Sequence, residues 1–211
     1  MMMNNMANRL LLELEAYETS HSALVKNTRN EDLSVLNVFQ PHSLFDQNTA
    51  ALMDRIDSKF LLPMNLFTPL MQSIAKDYTI LNAHGRRLFN YQTTYFANEK
   101  RQFYLDHHNG KLNRYKVRFR RYVESDMGYM EIKFKNNQKR TIKRRIPMNC
   151  ISPDQVGAQD FVERTLGYSV KLEPVLLVNY QRITLLNKHD VERITLDLNL
   201  SFHNPINGEQ S

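Results

Sequence analysis

From Arg114 to Arg120 every second residue is basic: Arg114, Lys116, Arg118 and Arg120 alternate with Tyr115, Val117 and Phe119. A strand has a side-chain period of two, so the cations fall on one face and the apolar residues on the other. The pattern recurs. Tyr129–Lys135 sets Glu131, Lys133 and Lys135 opposite Met130, Ile132 and Phe134, and Thr141–Ile146 sets Lys143 and Arg145 on one face. Val175–Leu185 carries Tyr180, Arg182 and Thr184 together, and Val191–Leu200 carries Arg193, Thr195 and Asp197. Asp54–Leu62, stopped by Pro63, also alternates, with Ile56, Ser58, Phe60 and Leu62 on one side and Asp57 and Lys59 on the other. Arg offers a planar fork of donors to phosphate oxygens, and Lys offers a point charge. Such a set is suited to binding a polyanion and neutralising charge on it.

The charge is concentrated. The 211 residues carry 28 Lys+Arg and 22 Asp+Glu, a formal +6. Between Lys111 and Arg145 there are 13 basic and 3 acidic residues, so those 35 residues hold +10 and the remainder holds −4. A local field of that sign draws nucleic acid, nucleotide, polyphosphate or an anionic lipid surface, unless it is simply a solvated basic face.

Other chemistry finds little support. The one cysteine, Cys150, forms no internal disulfide and has no identified His partner to make it a nucleophile. His107-His108, read in a strand, would point to opposite faces and has no third ligand at a telling spacing. Glu124, Asp126 and Glu131 are candidate metal ligands, although Glu124 and Asp126 read better as a solvated hairpin, and Asp197 reads as an internal counter-ion ahead of a metal ligand. There is no Gly-rich phosphate loop of Walker or Rossmann type. Tyr115 and Phe119 share a face with Val117 and read as core; with Tyr122 they also raise base stacking.

The elements that position the cations are mainly strands. Residues 1–42 read as an N-terminal extension, partly disordered, with a short amphipathic helix at Leu10–Tyr17 and a turn at Asn27–Asp32. Helices are expected over Ser43–Met53, Leu66–Lys76 and Ser152–Gly167, with a short helical turn in Asn98–Asp106. Strands are expected from Tyr78 onward, beginning with Phe89–Phe96, with turns at Asn109-Gly110, Asp126–Gly128 and Asn136-Asn137. No apolar run approaches the about 18–20 residues of a membrane helix, and Met1–Asn8 lacks a secretory pattern. A cytoplasmic protein is expected, peripheral at a membrane through a partner. The alternating strands fit either an open antiparallel sheet with wet cations or a closed barrel with cations inside. The second makes sense only if a dense anion fills it, because clustered cations repel.

The motifs, taken in order, resemble the VTC (vacuolar transporter chaperone) domain, a polyphosphate polymerase domain of the triphosphate tunnel (CYTH-like) superfamily. The resemblance rests on Arg55-Ile56-Asp57-Ser58-Lys59-Phe60, Thr93-Thr94-Tyr95-Phe96 and Tyr104-x-x-His107 with Gly110. It continues through Lys116-Val117-Arg118-Phe119-Arg120-Arg121-Tyr122, Glu131-Ile132-Lys133 and Lys143-Arg144-Arg145, and ends with Tyr180-Gln181-Arg182 and Arg193-Ile194-Thr195-Leu196-Asp197. It runs from about Ser43 to Asn199. Ala97 stands where the family has Asp.

The resemblance implies an α+β fold: an antiparallel β-barrel tunnel of the triphosphate tunnel metalloenzyme type, with helices packed outside. Residues 43–211 would form this domain. The chain stops at Ser211, before the family's last strand and helix, so the barrel is expected to be incomplete there. The implied partners are ATP and inorganic polyphosphate, with a membrane-protein partner and no nucleic acid. The implied cofactor is a divalent metal, Mn2+ or Mg2+, with no assigned ligand. Lys59, Lys116, Arg118, Arg120, Lys133, Lys143, Arg145, Arg182 and Arg193 would bind phosphate, with Arg118, Arg120, Lys133, Arg182 and Arg193 acting on the transferred group. The implied activity is transfer of the γ-phosphate of ATP to polyphosphate. A triphosphatase, a catalytically inactive polyphosphate-binding module and a basic nucleic-acid binder are the alternatives.

Overall fold

The structure is a computed structural model that describes residues 33–51, 58–138, 140–149 and 155–205. The helix at Leu10–Tyr17, the turn at Asn27–Asp32, Asp54–Asp57, Cys150 and Ser152-Pro153 lie outside the described residues. The fold is α+β. The strands are β1 (Gln40–His42), β2 (Tyr78–Leu81), β3 (Phe89–Ala97), β4 (Arg114–Tyr122), β5 (Met127–Lys135), β6 (Thr141–Asn149), β7 (Glu173–Asn187) and β8 (Arg193–His203). The helices are α1 (Leu44–Ala51), α2 (Phe67–Ile74), α3 (Gln102–His108) and α4 (Gln155–Leu166). The described residues fall into two compact units, one of 90–180 with 199–205, the other of 33–89 with 181–198. β7 contributes its first half to one unit and its second half to the other.

In the first unit the strand order is β7-β3-β4-β5-β6. β4 and β5 pair antiparallel along their whole length, from Arg114↔Lys135 to Tyr122↔Met127, and β5 and β6 pair from Met127↔Asn149 to Lys135↔Thr141. The short turns explain this register. Asp126 takes the left-handed conformation between β4 and β5, and Asn136 Oδ1 accepts the backbone N–H of Gln138 and of Arg140 before β6. Register fixes face, because a one-residue slip would turn every side chain over. Val117, Phe119, Met130 and Ile132 therefore point the same way and are buried.

Helices cover that apolar face. α4 presents Ala158, Phe161, Val162 and Leu166, the i, i+3, i+4, i+8 spacing of one helix face, and α3 contributes Phe103. α4 stops at Gly167, which is left-handed with φ 80° and donates its N–H to Glu163 O at 2.8 Å. The expected placement of helices against the apolar face of the basic strands is what this unit shows.

The second unit differs from expectation at two places. Leu33–Val38 forms a 3-10 helix and Gln40–His42 forms β1, so this part of the expected extension is folded. Val35, Leu36 and Phe39 are buried with Phe67 and Met71 of α2 and with Ile80, Ile183, Leu185 and Leu198. β1 pairs parallel to β2, Gln40↔Thr79 to His42↔Leu81, an exception to the antiparallel rule. The apolar residues of 33–39 follow no strict strand period, so local patterning does not reveal their partner. The second difference is the expected strand over Asp54–Leu62. Its described part, residues 58–62, is not a strand, and Phe60 and Leu61 are exposed. Alternation makes a segment able to join a sheet; it does not supply the neighbouring ladder.

α1 begins as expected at Ser43, whose N–H and Oγ both donate to Asp46 Oδ2 at 2.8 Å, so the Asp46 side chain reaches back to the start of the helix. Its apolar residues Leu44 and Phe45 are nevertheless exposed. α2 follows a 3-10 turn at Met64–Leu66 and tolerates Pro69 because the Pro lies in the first turn, where N–H groups lack helical acceptors. No helix among the described residues is long and apolar enough to cross a membrane.

Ile132 is 1% exposed between the sheet and the helices. Ile132→Ala should cost about 2–5 kcal/mol of stability. Urea unfolding of the variant against the wild type measures it, and a change under about 0.5 kcal/mol, the size of an ordinary surface substitution, would contradict this packing.

Candidate anion-binding site

The face of β3–β6 opposite the helices is laid out in rows by the register. Arg114, Lys135 and Thr141 form the first row, and Lys116, Lys133 and Lys143 the second. Tyr95, Arg118, Glu131 and Arg145 form the third. Thr93, Arg120, Tyr129 and Pro147 form the fourth, and Tyr91, Tyr122, Met127 and Asn149 the fifth. On β4–β6 this face carries eight lysines and arginines and one carboxylate, Glu131. Of the nine expected phosphate-binding residues, Lys116, Arg118, Arg120, Lys133, Lys143 and Arg145 come together here.

Glu131 lies near the middle of this face and is 1% exposed. Its two oxygens are divided between two strands. Arg118 donates Nε to Oε2 at 2.7 Å, with Nη2 2.6 Å from the same oxygen. From the other side Lys143 Nζ stands 2.7 Å from Oε1. Burial by itself would raise the Glu131 carboxyl. The Arg118 charge, then the contact and charge of Lys143, outweigh it and hold the group below the ordinary glutamate range. Burial also opposes charge on Arg118, and the Glu131 carboxylate together with Tyr95 outweighs it, so the guanidinium is held more firmly than usual. Lys143 goes the other way. Burial lowers it, and Arg118 and Arg120 add repulsion that Glu131 does not fully cancel. One carboxylate does not satisfy the cations around it.

The remaining cations lean on neutral partners. Arg120 Nε makes a long 3.4 Å contact with Thr93 Oγ1, and its guanidinium lies 5.7 Å from the centre of the Tyr91 ring. Arg118 Nη1 is 3.4 Å from the Tyr95 hydroxyl. Arg145 sits over Tyr129, 4.7 Å from the ring centre. Lys116 Nζ is 3.0 Å from His107 Nε2, on the last turn of α3. Lys133 is exposed. Among the described residues no carboxylate pairs with Arg120, Lys133 or Arg145.

The other three expected ligands belong to the second unit. Arg182 on β7 grips Asp197 on β8 through two bonds, Nε to Oδ1 at 2.6 Å and Nη2 to Oδ2 at 2.8 Å. Asp197 is thus the counter-ion expected, and Arg182 is its partner. Arg193 opens β8. Lys59 lies in the irregular exposed segment, so the strand expected to carry it is corrected along with its place on a shared strand face.

Among the described residues no three His, Cys, Asp or Glu side chains cluster. Glu131 and Asp197 are committed to cations. His107 and His108 are neighbours in a helix, where His107 meets Lys116 and His108 stacks on Tyr104 with ring centres 5.9 Å apart. Glu124 accepts from the backbone N–H and Nδ2 of Asn90, and Asp126 pairs with Arg121, both at the β4–β5 turn.

Alternation alone did not single out the buried counter-ion or the tyrosines. Glu131 was visible as the one acid among alternating cations, but only register shows it standing opposite Arg118. Tyr91, Tyr95 and Tyr129 share the cationic face through pairing that no single segment displays.

Glu131→Gln should lower stability at neutral pH. The loss should be smaller than the about 3–5 kcal/mol of a fully buried broken pair, because Lys143 is partly solvated. The folded-state value of Glu131 is depressed, so its contribution is present above the ordinary 4.5 and is lost as pH falls through the folded-state value. Denaturant titrations from neutral to acid pH should show a steeper acid decline in the wild type than in the variant. Parallel profiles would contradict the ion pairs.

No curated protein matches the chain. A family model described as VTC domain matches residues 54–210, a span that holds the whole of β2–β8 and every cation of the face. The chain belongs to the VTC domain family.

Proposed function

We propose that this domain binds the phosphate chain of ATP and of inorganic polyphosphate on its cationic face, and transfers the γ-phosphoryl group of ATP to a growing polyphosphate. The observation that carries the proposal is the imbalance on β4–β6, eight cations against one buried carboxylate. Membership in the VTC family supports a polyphosphate-related role. In the transfer, a terminal oxygen of polyphosphate attacks the γ-phosphorus, the bond to the β–γ bridging oxygen breaks, and ADP leaves. Charge spreads over the equatorial oxygens, so the work falls to positioning and electrostatics. Arg118 and Arg120, already held by Glu131, Tyr95 and Thr93, offer forks to those oxygens. Lys116, Lys133 and Lys143 form a row of point charges beside them. A divalent ion bound to the ATP phosphates would neutralise part of their charge.

Arg120 has no carboxylate ion-pair partner among the described residues. Arg120→Ala should weaken binding of a non-hydrolysable ATP analogue or tripolyphosphate about 10- to 100-fold. Unchanged affinity in calorimetric titration would sink the proposal. Incubation with ATP and manganese should yield polyphosphate; free phosphate alone would favour a triphosphatase, and binding without either product a binding module.

The same face predicts a pH dependence. Lys143 is held below the ordinary lysine value of 10.5 by burial and by its arginine neighbours. A bound phosphate chain restores its affinity for the proton, so binding takes up a proton as pH approaches the free-protein value. Affinity should fall as pH rises towards the ordinary lysine value of 10.5, while the phosphates stay ionised. Lys143→Arg should flatten that fall. Equal slopes in the two proteins would remove Lys143 from the account.

A further inference from the structure

β6 ends the strand order of the sheet, and among the described residues it pairs only with β5. Its other side offers backbone donors and acceptors to an extended chain with suitable side chains. Thr141 to Arg145 are all exposed. Pro147 has no N–H to give, so the usable edge is Thr141–Ile146.

The two faces of this edge differ. On the cationic side Lys143 and Arg145 stand two residues apart. Lys143 shares Glu131 with Arg118, and no carboxylate among the described residues pairs with Arg145. On the helix side Ile142 is 48% exposed. It borders a cavity of about 240 Å3 lined by Tyr115, Ile132, Phe134, Ile142, Arg144 and Thr165. A second copy of β6 does not suit this edge, because Lys143 and Arg145 would meet like charges across the ladder. The complementary strand alternates acidic and apolar residues.

Outside the described residues the chain has one such segment. In Leu10–Tyr17, Leu10, Leu12, Leu14 and Ala16 alternate with Leu11, Glu13, Glu15 and Tyr17. Glu13 and Glu15 have the spacing of Lys143 and Arg145. Setting the acids beside the cations therefore turns Leu12 and Leu14 towards Ile142 and the cavity. The match holds for either strand direction. Glu18–Asp32 joins the segment to Leu33, and those 15 residues can span about 50 Å. Attachment to the same chain raises the local concentration, so a contact too weak between separate molecules suffices.

We infer that residues 10–17 lie along β6 as an added edge strand, with Glu13 and Glu15 beside Lys143 and Arg145 and with Leu12 and Leu14 on the apolar side. The segment also has the i, i+4, i+7 stripe of a helix, in Leu10, Leu14 and Tyr17. The two-sided edge decides for the strand, since a helix would not divide acids and leucines between the two faces of a sheet. The contact does not depend on the phosphate-binding role proposed above.

The test is zero-length carbodiimide coupling of carboxylates to lysines on the full chain, read by mass spectrometry, together with hydrogen exchange of the β6 amides. Glu13 or Glu15 should couple to Lys143 within one chain. In Glu13→Gln/Glu15→Gln that link should vanish. Exchange over Thr141–Ile146 should speed up about 2- to 30-fold, while exchange of Ile132 on β5 stays unchanged. Leu14→Asp keeps both acids and should also speed exchange over Thr141–Ile146. Coupling to Lys116 or Lys133 in place of Lys143 would lay the acids across the face and not along the edge. Links between chains in a mixture of isotope-labelled and unlabelled protein would assign the edge to the segment of a second copy. Exchange that responds to the acids and not to Leu14 would show attraction without strand pairing. No link to Lys143, with equal exchange in all three proteins, would leave the edge uncovered. Each of these four results overturns the inference.

Discussion

Like charges packed on one sheet face repel, and this constraint governs the first unit. Two unit charges 4 Å apart at an effective dielectric of about 20 interact by about 4 kcal/mol. Glu131 answers it from the centre. By standing on β5 it reaches an arginine on β4 and a lysine on β6 at once, one oxygen to each. Its burial strengthens both contacts, and its central strand places it where the repulsion is greatest. The compensation is partial. What remains is a set of cations held in position and still short of negative charge, a state that an arriving phosphate chain relieves.

The sheet separates duties by face. The apolar side is anchored by α4 and α3 and carries the stability. The cationic side carries no packing obligation beyond its own rows. A period of two makes this division possible, since adjacent residues such as Val117 and Arg118 serve opposite ends. The same arrangement explains why neutral hydroxyls and rings, Thr93, Tyr95, Tyr91 and Tyr129, accompany the cations: they orient guanidinium groups without cancelling their charge.

Much of this was legible in the residues. The strands β3 to β8, the helix ending at Gly167 and the shared face of Lys116, Arg118, Arg120, Lys133, Lys143 and Arg145 all follow from alternation and turn chemistry. The family followed from the order of the motifs. Register and non-local partners were not legible. Lys59 alternates as well as Arg118 does, yet it lacks a described ladder, because pairing depends on a neighbour distant in sequence. Leu33–His42 reads as part of an extension because its apolar side chains find their role only once β2 and α2 lie against them. Arg182 reads as a phosphate ligand, and the structure shows it already chelated by Asp197; only the β7–β8 pairing brings the two together.

The parallel strand β1 has a practical corollary for anyone choosing where to cut the gene. The family match begins at residue 54, but the second unit does not. Val35, Leu36 and Phe39, exposed by only 5%, 4% and 2%, precede it, as does the strand that occupies one side of β2. A fragment trimmed to the matched region would uncover Ile80 and Ile183 and leave β2 with bare amides and carbonyls, a template for sticking to its own copies. A soluble minimal fragment must therefore reach back at least to Leu33, twenty-one residues before the family begins.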